Sequence, residues 1–497
     1  MGIEIQELIN GFFTAVQPEN LLWLAIGGFL GTIVGMLPGL GPATAIAVLI
    51  PITFGMDSTS ALIMLAAIYY GAMYGGSRSS ILLNTPGDGS AIAATFDGYP
   101  MTKQGRAGEA LAMSAIASFI GGIIAIVAFV FLAHPLANFA LKFGDPEYFL
   151  LMLFALSAIV SLSVGKMLKG FVSMSIGLLL SMFGVDSQSG VYRFTMDIPQ
   201  LSDGIDYLVV IIGIYAVGEV LYNLLNINNS KGQKNKLGSI RINKEQWKRS
   251  KGPILRNGPI GFLIGVLPGA GGTMASMLSY TTEKQISKHP DEFGKGAIEG
   301  VAAPESSNNA ASIGSLIPML TMGIPGSGTT AVMLGAIIML GLKPGPQLFE
   351  NEPETIAAFI NSMFLGNIFL VIINILLVGL LVKILNTPPK ILYPLILILA
   401  FIGTYALNYS IVDFYILIIF GVIGLFMKIF DFPVAPLILA IIVGSDMEQH
   451  FRKSVVASNG DLSVFLSSPI SVVLIILTIL SIMYPFIINF VKKRKLV

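Results

Sequence analysis

Long apolar runs separated by short polar or glycine- and proline-rich segments dominate the chain. A transmembrane helix needs about 20 mainly apolar residues. Regular runs lie near 20–38, 110–133, 147–165, 167–184, 206–226, 355–385, 390–408, 411–429 and 468–491. Shorter or Pro/Gly-broken runs lie at 42–56, 60–83, 257–280, 312–341 and 433–445, and the pattern leaves open whether 433–445 crosses. The pattern predicts an all-α polytopic membrane protein with about 10–14 transmembrane or re-entrant helices.

The composition agrees with this prediction and excludes several other classes of protein. The 497 residues are 54% hydrophobic and 11% charged, whereas about 25% is usual in soluble proteins. A net charge of +1 offers no global field for nucleic acid. The chain has no cysteine, three isolated histidines, no HExxH motif and no phosphate-binding loop with its lysine. We therefore expect neither an enzyme nor a cofactor.

The distribution of basic residues predicts the orientation. The segment 227–256 is rich in lysine and arginine and contains a single acid, Glu245, and the chain ends in a second basic group at 492–495. Basic loops favour the cytoplasmic side, so both segments are expected there, in a multi-pass protein of a bacterial-type cell membrane. The acidic loop at 186–206 is expected outside. Binding of the linker to lipid headgroups would by itself explain its charge.

Two motifs occur twice in the same order. Gly31-Thr-Ile-Val-Gly35-Met-Leu-Pro38-Gly39-Leu-Gly41 returns 230 residues later as Gly261-Phe-Leu-Ile-Gly265-Val-Leu-Pro268-Gly269-Ala-Gly271, and 85–90 returns 239 residues later as 324–329. We infer a first membrane repeat at 1–226, a basic cytoplasmic linker at 227–256 and a second membrane repeat at 257–497. The charge pattern makes the repeats inverted relative to each other, as in many secondary transporters.

The breaks in the apolar runs are the candidate binding elements. A Pro-Gly break frees backbone groups that lipid cannot satisfy, and the adjoining helix N-termini attract anions. The candidate substrate- or ion-binding residues are Gly39, Gly41, Thr44, Arg78, Asn84, Thr85, Gly87, Asp88, Gly89, Ser90, Gly269, Gly271, Gly272, Thr273, Glu305, Ser306, Asn308, Asn309, Gly326, Ser327, Gly328 and Thr329. Sodium is placed near Gly39, Asn84 and Asn308, and no metal site is otherwise expected.

Several of these residues also have a structural interpretation. The glycines that precede each proline recur at helical spacing and fit a close-packed helix face. Arg78 could pair an anionic substrate, or it could neutralise Asp88 or Asp97. Glu305 could ligate a cation or cap the helix that follows it, and the polar group 304–309 could be an ordinary loop with a helix cap.

The motifs resemble the large membrane subunit of the tripartite tricarboxylate transporters, the TctA-type permeases. The matching text comprises Gly35-Met-Leu-Pro-Gly-Leu-Gly-Pro42, the run 70–106, Pro304-Glu-Ser-Ser-Asn-Asn-Ala310, Ile317-Pro-Met-Leu-Thr-Met-Gly-Ile-Pro-Gly-Ser-Gly328 and Gly341-Leu-Lys-Pro-Gly-Pro346. The resemblance covers essentially the whole chain. It implies a secondary transporter that imports organic carboxylates, citrate in the founding members, driven by a sodium or proton gradient. It also implies two partners, a small four-helix membrane subunit (TctB-like) and an extracytoplasmic solute-binding protein (TctC-like).

The residues and the resemblance together give one functional hypothesis. The tips that follow Pro38, Pro86, Pro268 and Pro325 are expected to meet near the bilayer midplane and to bind a tricarboxylate or dicarboxylate. The neutral Asn and Ser oxygens favour Na⁺ over H⁺ as the coupling ion, whereas a proton would need an acid such as Asp88 or Glu305. The movement is expected to be alternating access, by sliding or by rocking. The alternative is an uncoupled anion channel of similar architecture.

Overall fold

The computed structural model describes residues 5–37, 40–161, 166–186, 188–225, 238–269, 271–385 and 389–494. Helices form nearly all of it, with a two-stranded antiparallel hairpin of β1 (Gly184–Val185) and β2 (Tyr192–Arg193). The prediction of an all-α polytopic membrane protein is confirmed.

The helices are given in chain order. Up to the linker they are α1 Ile5–Ala15, α2 Pro18–Gly35, α3 Pro42–Leu49, α4 Ser58–Leu83, α5 Ile92–Lys103, α6 Ala107–Ala140, α7 Asp145–Ser161, α8 Met167–Ser181, α9 Tyr207–Ile212 and α10 Gly218–Leu225, with a π-helical segment Gly213–Val217 between the last two. After the linker they are α11 Lys244–Val266, α12 Gly271–Ile286, α13 Glu299–Gly314, α14 Leu316–Met322, α15 Gly328–Met339, α16 Pro346–Asn351, α17 Pro353–Leu376, α18 Val378–Leu385, α19 Pro389–Asn408, α20 Ile411–Ile429, α21 Ala435–Ala457 and α22 Pro469–Arg494.

Long apolar helices account for several of the predicted crossings. In the described residues, Ala107–Ala140, Tyr207–Leu225, Pro353–Leu376 and Ile411–Ile429 are long and apolar enough to cross a membrane. Shorter apolar helices lie at Pro42–Thr53, Met167–Ser181, Gly328–Met339, Tyr393–Asn408 and Pro469–Met483. The run 355–385 divides at Leu377, and the undecided run 433–445 is the first half of α21. At each break, backbone N–H and C=O groups lose their helical partners and need others that lipid cannot supply.

Glycines allow two pairs of helices to pack with their backbones in contact. On α2, a Cβ added to Gly31 or Gly35 would stand less than 3.0 Å from the backbone of Ile68 or Ala72 on α4. The same holds between α11 and α13, where Gly261 meets Ser307 and Gly265 meets Ala311. The offsets of 230 and 239 residues that relate the sequence motifs also relate these contacts. These glycines therefore lie at close contacts between helix backbones, as their structural interpretation predicts.

The two helix pairs run in opposite directions. Residues later in α2 contact residues later in α4, and the same holds for α11 and α13, so the helices of each pair are parallel. Between α4 and α13 the order is reversed, because Tyr69 Oη lies 3.3 Å from Ser315 Oγ whereas Ser77 Oγ lies 2.8 Å from Glu305 Oε2. Equivalent elements of the two halves are therefore inverted relative to each other.

Helix α6 separates two ends of the molecule. At 34 residues it is about 51 Å long. At its start, Arg106 and Glu109 lie beside Gln246 of α11, and this end is called the linker face. Beyond its last residue, Asp145 bonds His450 across 2.6 Å on the opposite face.

The predicted boundaries of the linker and of the two repeats remain a prediction, but the structure shows no break at the predicted end of the linker, residue 256. Residues 226–237 lie outside the described residues. The last part of the predicted linker, 244–256, is helical and forms the first half of α11, which continues to Val266 without a break. Asn243 starts this helix with a capping box that Gln246 completes. The polar, basic composition of 244–256 concealed a helix that the apolar pattern could not reveal.

Candidate functional site

The broken segments of both repeats come together at one place. A Cβ on Gly41 would stand 2.7 Å from Asp88 Cβ, and a Cβ on the equivalent Gly271 would stand 3.3 Å from Ser327 Cβ. The repeats also touch each other, because a Cβ on Gly89 would lie 2.7 Å from Thr273 Oγ1. Four tips that are far apart in sequence thus surround one volume.

That volume is a cavity of about 440 Å³, called the central cavity below. Its size falls within the range of small-molecule sites, about 300–1,000 Å³. The predicted site residues that line it are Asp88, Gly89, Ser90, Gly269, Gly271, Gly272, Thr273, Ser327, Gly328 and Thr329. The first repeat supplies a carboxylate and a hydroxyl, whereas the second supplies hydroxyls and exposed backbone.

Helix N-termini converge on the central cavity. Helices α12 and α15 begin at Gly271 and Gly328, which both line it. Ala43 in the first turn of α3 and Ala435 at the start of α21 line it as well. The first backbone N–H groups of a helix have no partner within that helix, and they carry a partial positive charge. The described residues that line the cavity include no arginine, lysine or histidine, so the helix N-termini are the positive elements of this part of the wall.

Local hydrogen bonds hold the wall in shape. Ser90 Oγ donates to Asp88 Oδ1 at 2.7 Å, and the N–H of Gly269 donates to Gly326 O at 3.0 Å. Ser327 caps α15 by accepting from the N–H of Thr330, whose hydroxyl accepts from the N–H of Ser327. The Ser327 side chain is thus committed to its own helix.

Other predicted residues support the tips without lining the cavity. Gly87 and Gly326 are equivalent, and a Cβ on either would lie less than 3.0 Å from the backbone oxygen of Gly35 or Gly265. Thr44 is buried on α3. Gly39 lies outside the described residues.

Asn84 and Thr85 do not belong to the cavity wall. Asn84 ends α4 in the left-handed conformation, at φ 57°, and its equivalent Gly323 adopts φ 71°. Asn and Gly tolerate this conformation best, so helix termination explains both residues. Asn84 and Thr85 are exposed. The prediction of a sodium site shared by Gly39, Asn84 and Asn308 therefore has no support from the position of Asn84.

Asn308 lies directly behind the cavity wall. A Cβ on Gly272 would stand 2.5 Å from Asn308 Oδ1. The side chain is 1% exposed, and neither Nδ2 nor Oδ1 has a hydrogen-bond partner. An unpartnered buried amide is costly, so this amide is a candidate ligand group for a bound molecule or ion.

The polar group 304–309 is helical, which corrects the expectation of a loop or of a helix cap at Glu305. These residues lie inside α13 and are buried. Glu305 Oε2 accepts hydrogen bonds from Ser77, Ser114 and Ser118. Asn309 Nδ2 donates to Ser118 Oγ at 2.7 Å.

Two further residues of the prediction have structural partners. Ser306 Oγ donates to the backbone oxygen of Ile254 at 2.9 Å and so joins α13 to α11. Arg78 neutralises neither Asp88 nor Asp97, because its Nε and Nη2 donate to the Oδ1 and backbone oxygen of Asn374, each at 2.6 Å. The apolar pattern of α17 gave no reason to single out Asn374.

Some lining residues were not predicted from the sequence. Tyr69 and Tyr215 present aromatic rings to the cavity, and Tyr215 belongs to the π-helical segment. Such segments are frequent at functional sites but have no sequence signature here. Ala435 lies between Pro433 and Pro436, so the proline punctuation that marked the other tips could have indicated it.

The described residues contain no group of three or more His, Cys, Asp or Glu side chains that could hold a metal ion. Asp88 is the one carboxylate among the described residues that line the cavity. A polar, largely neutral cavity with helix N-termini in its wall is suited to a small anion and to weakly bound monovalent cations.

Inverted broken helices around a polar cavity define a polytopic membrane protein of the transporter type. The chain belongs to the tripartite tricarboxylate transporter TctA family, whose model matches residues 21–439. This is a transporter family, and its members are the large subunits of tripartite transporters.

Two relatives come from Agrobacterium vitis. An uncharacterised 52.8 kDa protein in the TAR-I ttuC′ 3′ region is 43% identical over 94% of this chain and 93% of its own. An uncharacterised protein in the TAR-II ttuC′ 3′ region is 46% identical over 42% of this chain and 87% of its own. No solved structure matches.

Proposed function

We propose that this protein is the permease subunit of an ion-coupled secondary transporter that imports organic carboxylates. It would work in the cell membrane with a small membrane subunit and an extracytoplasmic solute-binding protein, as expected for its family. The single observation that carries the proposal is the convergence of helix N-termini from both repeats on the central cavity.

The helix N-termini favour a carboxylate as substrate. Their N–H groups donate hydrogen bonds, and an anion at a helix N-terminus is stabilised without a charged side chain. The first turns of α12 and α15 present N–H groups at the cavity wall. The unpartnered amide of Asn308 beside Gly272 supplies a further donor and acceptor close to the wall. Dicarboxylates and tricarboxylates suit a cavity with several separate donor sites.

The cavity also supports coupling to a cation. Asp88 is an acid in the wall of a cavity that would hold an anion, so the occupied state needs positive charge nearby. The Thr273 and Thr329 hydroxyls and the backbone of Gly269 offer the neutral oxygens that Na⁺ accepts as ligands. We therefore propose sodium as the coupling ion, with H⁺ on Asp88 as the alternative.

Alternating access is the mechanism proposed for the inverted repeats. Inverted halves can exchange conformations, so that a site between them opens to one side and then to the other. The broken segments would slide against the regular helices, or the two halves would rock. The linker and the C-terminus would lie in the cytoplasm. An uncoupled anion channel could use the same cavity, but it would not accumulate substrate.

The test is uptake of a labelled panel of dicarboxylates and tricarboxylates by proteoliposomes that contain this chain and its small membrane partner. The binding protein is supplied on the side of entry, with and without an inward Na⁺ gradient. Accumulation above the outside concentration that requires Na⁺ supports the proposal, and accumulation that requires H⁺ reassigns the ion. Equilibration without accumulation favours a channel, and failure of the folded complex with the whole panel contradicts a carboxylate transporter.

A further inference from the structure

Glu305 has an unusual setting for a carboxylate in the interior of this protein. It lies in the middle of α13 with 1% of its surface exposed. The hydroxyls of Ser77, Ser114 and Ser118 donate to Oε2 at 2.8, 3.0 and 3.1 Å. The other carboxylate oxygen, Oε1, receives none of these bonds. A carboxylate so deeply buried is costly and is usually functional in a membrane protein.

The serines distinguish Glu305 from other buried carboxylates of the same region. Glu283 and Glu299 each pair with an arginine, Arg256 and Arg249 respectively. An arginine can only donate, so it holds its carboxylate in the ionised state. A hydroxyl can donate or accept, so a ring of serines can turn its lone pairs toward a cation that binds beside the carboxylate. The Glu305 site can therefore exchange a cation without losing its polar partners.

One of the charged and titratable neighbours of Glu305 is a cation, Arg78 on α4, which interacts with Glu305 electrostatically without forming an ion pair with it. Arg78 Nε and Nη2 donate to Asn374, whereas its buried Nη1 has no hydrogen-bond partner, and among the described residues Arg78 forms no ion pair within 4.0 Å of a carboxylate. Tyr74, also on α4, donates to Asn367 Oδ1 at 2.9 Å. On α6 the partners are the neutral Ser114 and Ser118.

The site joins the two repeats and lies next to the central cavity. The donors belong to α4 and α6 of the first repeat, whereas the acceptor belongs to α13 of the second. Asn308 is on the same helix, about one turn further along, and borders the cavity through Gly272. Asn309, the next residue, bonds Ser118 and so belongs to both the serine cluster and α13. A change of charge at Glu305 would thus act on the contact between the repeats and on the helix that borders the cavity.

We propose that Glu305, with Ser77, Ser114 and Ser118, binds a monovalent coupling cation at a site separate from the central cavity. This inference rests on the proposed function. Import of a multiply charged anion against an inside-negative potential costs work for every charge, and one cation beside Asp88 would leave a dicarboxylate or tricarboxylate with net negative charge to be moved inward. Na⁺ and H⁺ share the required chemistry, since either neutralises the carboxylate. The ion binds from outside, permits the repeats to move, and leaves inside.

The number of coupling cations tests the proposal. In proteoliposomes with the complete transporter, the reversal potential of substrate flux gives the cation-to-substrate ratio. We expect Glu305→Gln to retain exchange of labelled for unlabelled substrate, while the ratio falls by one. The variation of reversal potential with the Na⁺ gradient and with the pH gradient then identifies which ion has been lost. An unchanged ratio in Glu305→Gln would overturn the proposal.

Two variants make the result independent of folding. Glu299→Gln removes a buried, arginine-paired carboxylate from the same helix, and we expect it to keep the wild-type ratio. If Glu305→Gln does not fold, the double substitution Ser114→Ala and Ser118→Ala decides. It should raise the cation concentration for half-maximal uptake about tenfold without a matching change in substrate affinity, and an unchanged concentration overturns the proposal. Failure of the wild-type protein to transport refutes the proposed function instead.

Discussion

Gly265 packs against the backbone of Ala311, at a place equivalent to that of Gly35 against Ala72. In both repeats the added Cβ would stand less than 3.0 Å from a carbonyl oxygen that belongs to a rigid helix. In each repeat, the helix that ends in a broken tip, α2 or α11, thus packs directly on the backbone of the helix beside it, α4 or α13. Small residues are required wherever helix backbones approach so closely.

The first prediction concerns this contact. Gly265→Ala forces α11 and α13 apart and should destabilise the fold by about 1–3 kcal/mol or more, as overpacking does. Thermal unfolding of the purified protein in detergent measures the effect. Gly252→Ala lies on the same helix, where an added Cβ meets nothing within 4 Å, and it should be neutral or slightly stabilising, because alanine favours a helix more than glycine does. Equal melting temperatures for the two variants would contradict the packing argument.

The second prediction separates two adjacent asparagines. Asn308→Ala should abolish uptake or greatly raise the KM for substrate, because its unpartnered amide adjoins the cavity wall. Asn309→Ala removes the bond to Ser118 and should alter mainly the cation dependence. Both variants should remain folded. Initial uptake rates over a range of substrate and Na⁺ concentrations distinguish the two effects, and normal uptake in both would refute the roles assigned to this helix.

The third prediction concerns the central cavity. Gly272→Ala should place a methyl group 2.5 Å from Asn308 Oδ1 and 3.1 Å from Ser90 Cβ, so that it displaces the Asn308 amide behind the cavity wall. We expect weaker substrate binding with little change in folding, because the atom it meets most closely is at the end of the Asn308 side chain, which can rotate away without moving the backbone. Isothermal titration or protection of the folded protein by substrate measures the affinity. Wild-type affinity in this variant would place the substrate elsewhere.

The fourth prediction concerns the linker face. Arg249 bonds Glu299 at 2.7 Å and also Glu292, and Glu299 is nearly fully buried. Arg249→Met leaves a buried carboxylate without its partner and should destabilise the protein by on the order of 3 kcal/mol. Adding Glu299→Gln should restore much of that loss, because the unpaired charge is removed. Thermal unfolding of the single and double variants checks this, and a double variant no more stable than the single one would contradict it.

The fifth prediction concerns orientation. The chain has no cysteine, so any introduced cysteine can be labelled specifically. Ser239→Cys, which lies exposed within the predicted linker, should react with an impermeant maleimide only after the cells are permeabilised. Ser467→Cys is exposed on the opposite face, next to Ser468, whose hydroxyl donates to Glu147 at the start of α7, and it should react in intact cells. The reverse pattern would invert the proposed topology.

The sequence alone predicted the membrane class, the helical architecture and the opposite direction of the two halves. Hydropathy indicates whether a segment is more stable in lipid or in water. The two motifs that recur at a nearly constant spacing indicate a duplication, and neither inference requires any knowledge of contacts. The sequence did not predict where every helix begins. The polar start of α11 at Lys244 was assigned to the linker, because a helix that is not buried in lipid leaves no apolar signal.

The candidate site was predicted in part. Glycine and hydroxyl residues after Pro86, Pro268 and Pro325 lie on the central cavity, because backbone breaks inside apolar runs are informative by themselves. Asn84 stands beside Pro86 in the same kind of break and was therefore predicted to bind as well, yet it ends a helix and is exposed. The distinction depends on the direction in which the chain turns after α4, and composition does not encode it.

Only the tertiary structure decided which polar groups face each other. It placed Arg78 against Asn374, Glu305 among three serines of the other repeat, and Asn308 behind Gly272. The contacts of Arg78 and Glu305 join residues 187 to 296 positions apart, and that of Asn308 depends on which side of its helix faces the cavity. Sequence patterning determines where a chain is apolar and where it breaks. The energetics of an interior charge depends on partners that only folding brings within hydrogen-bond distance.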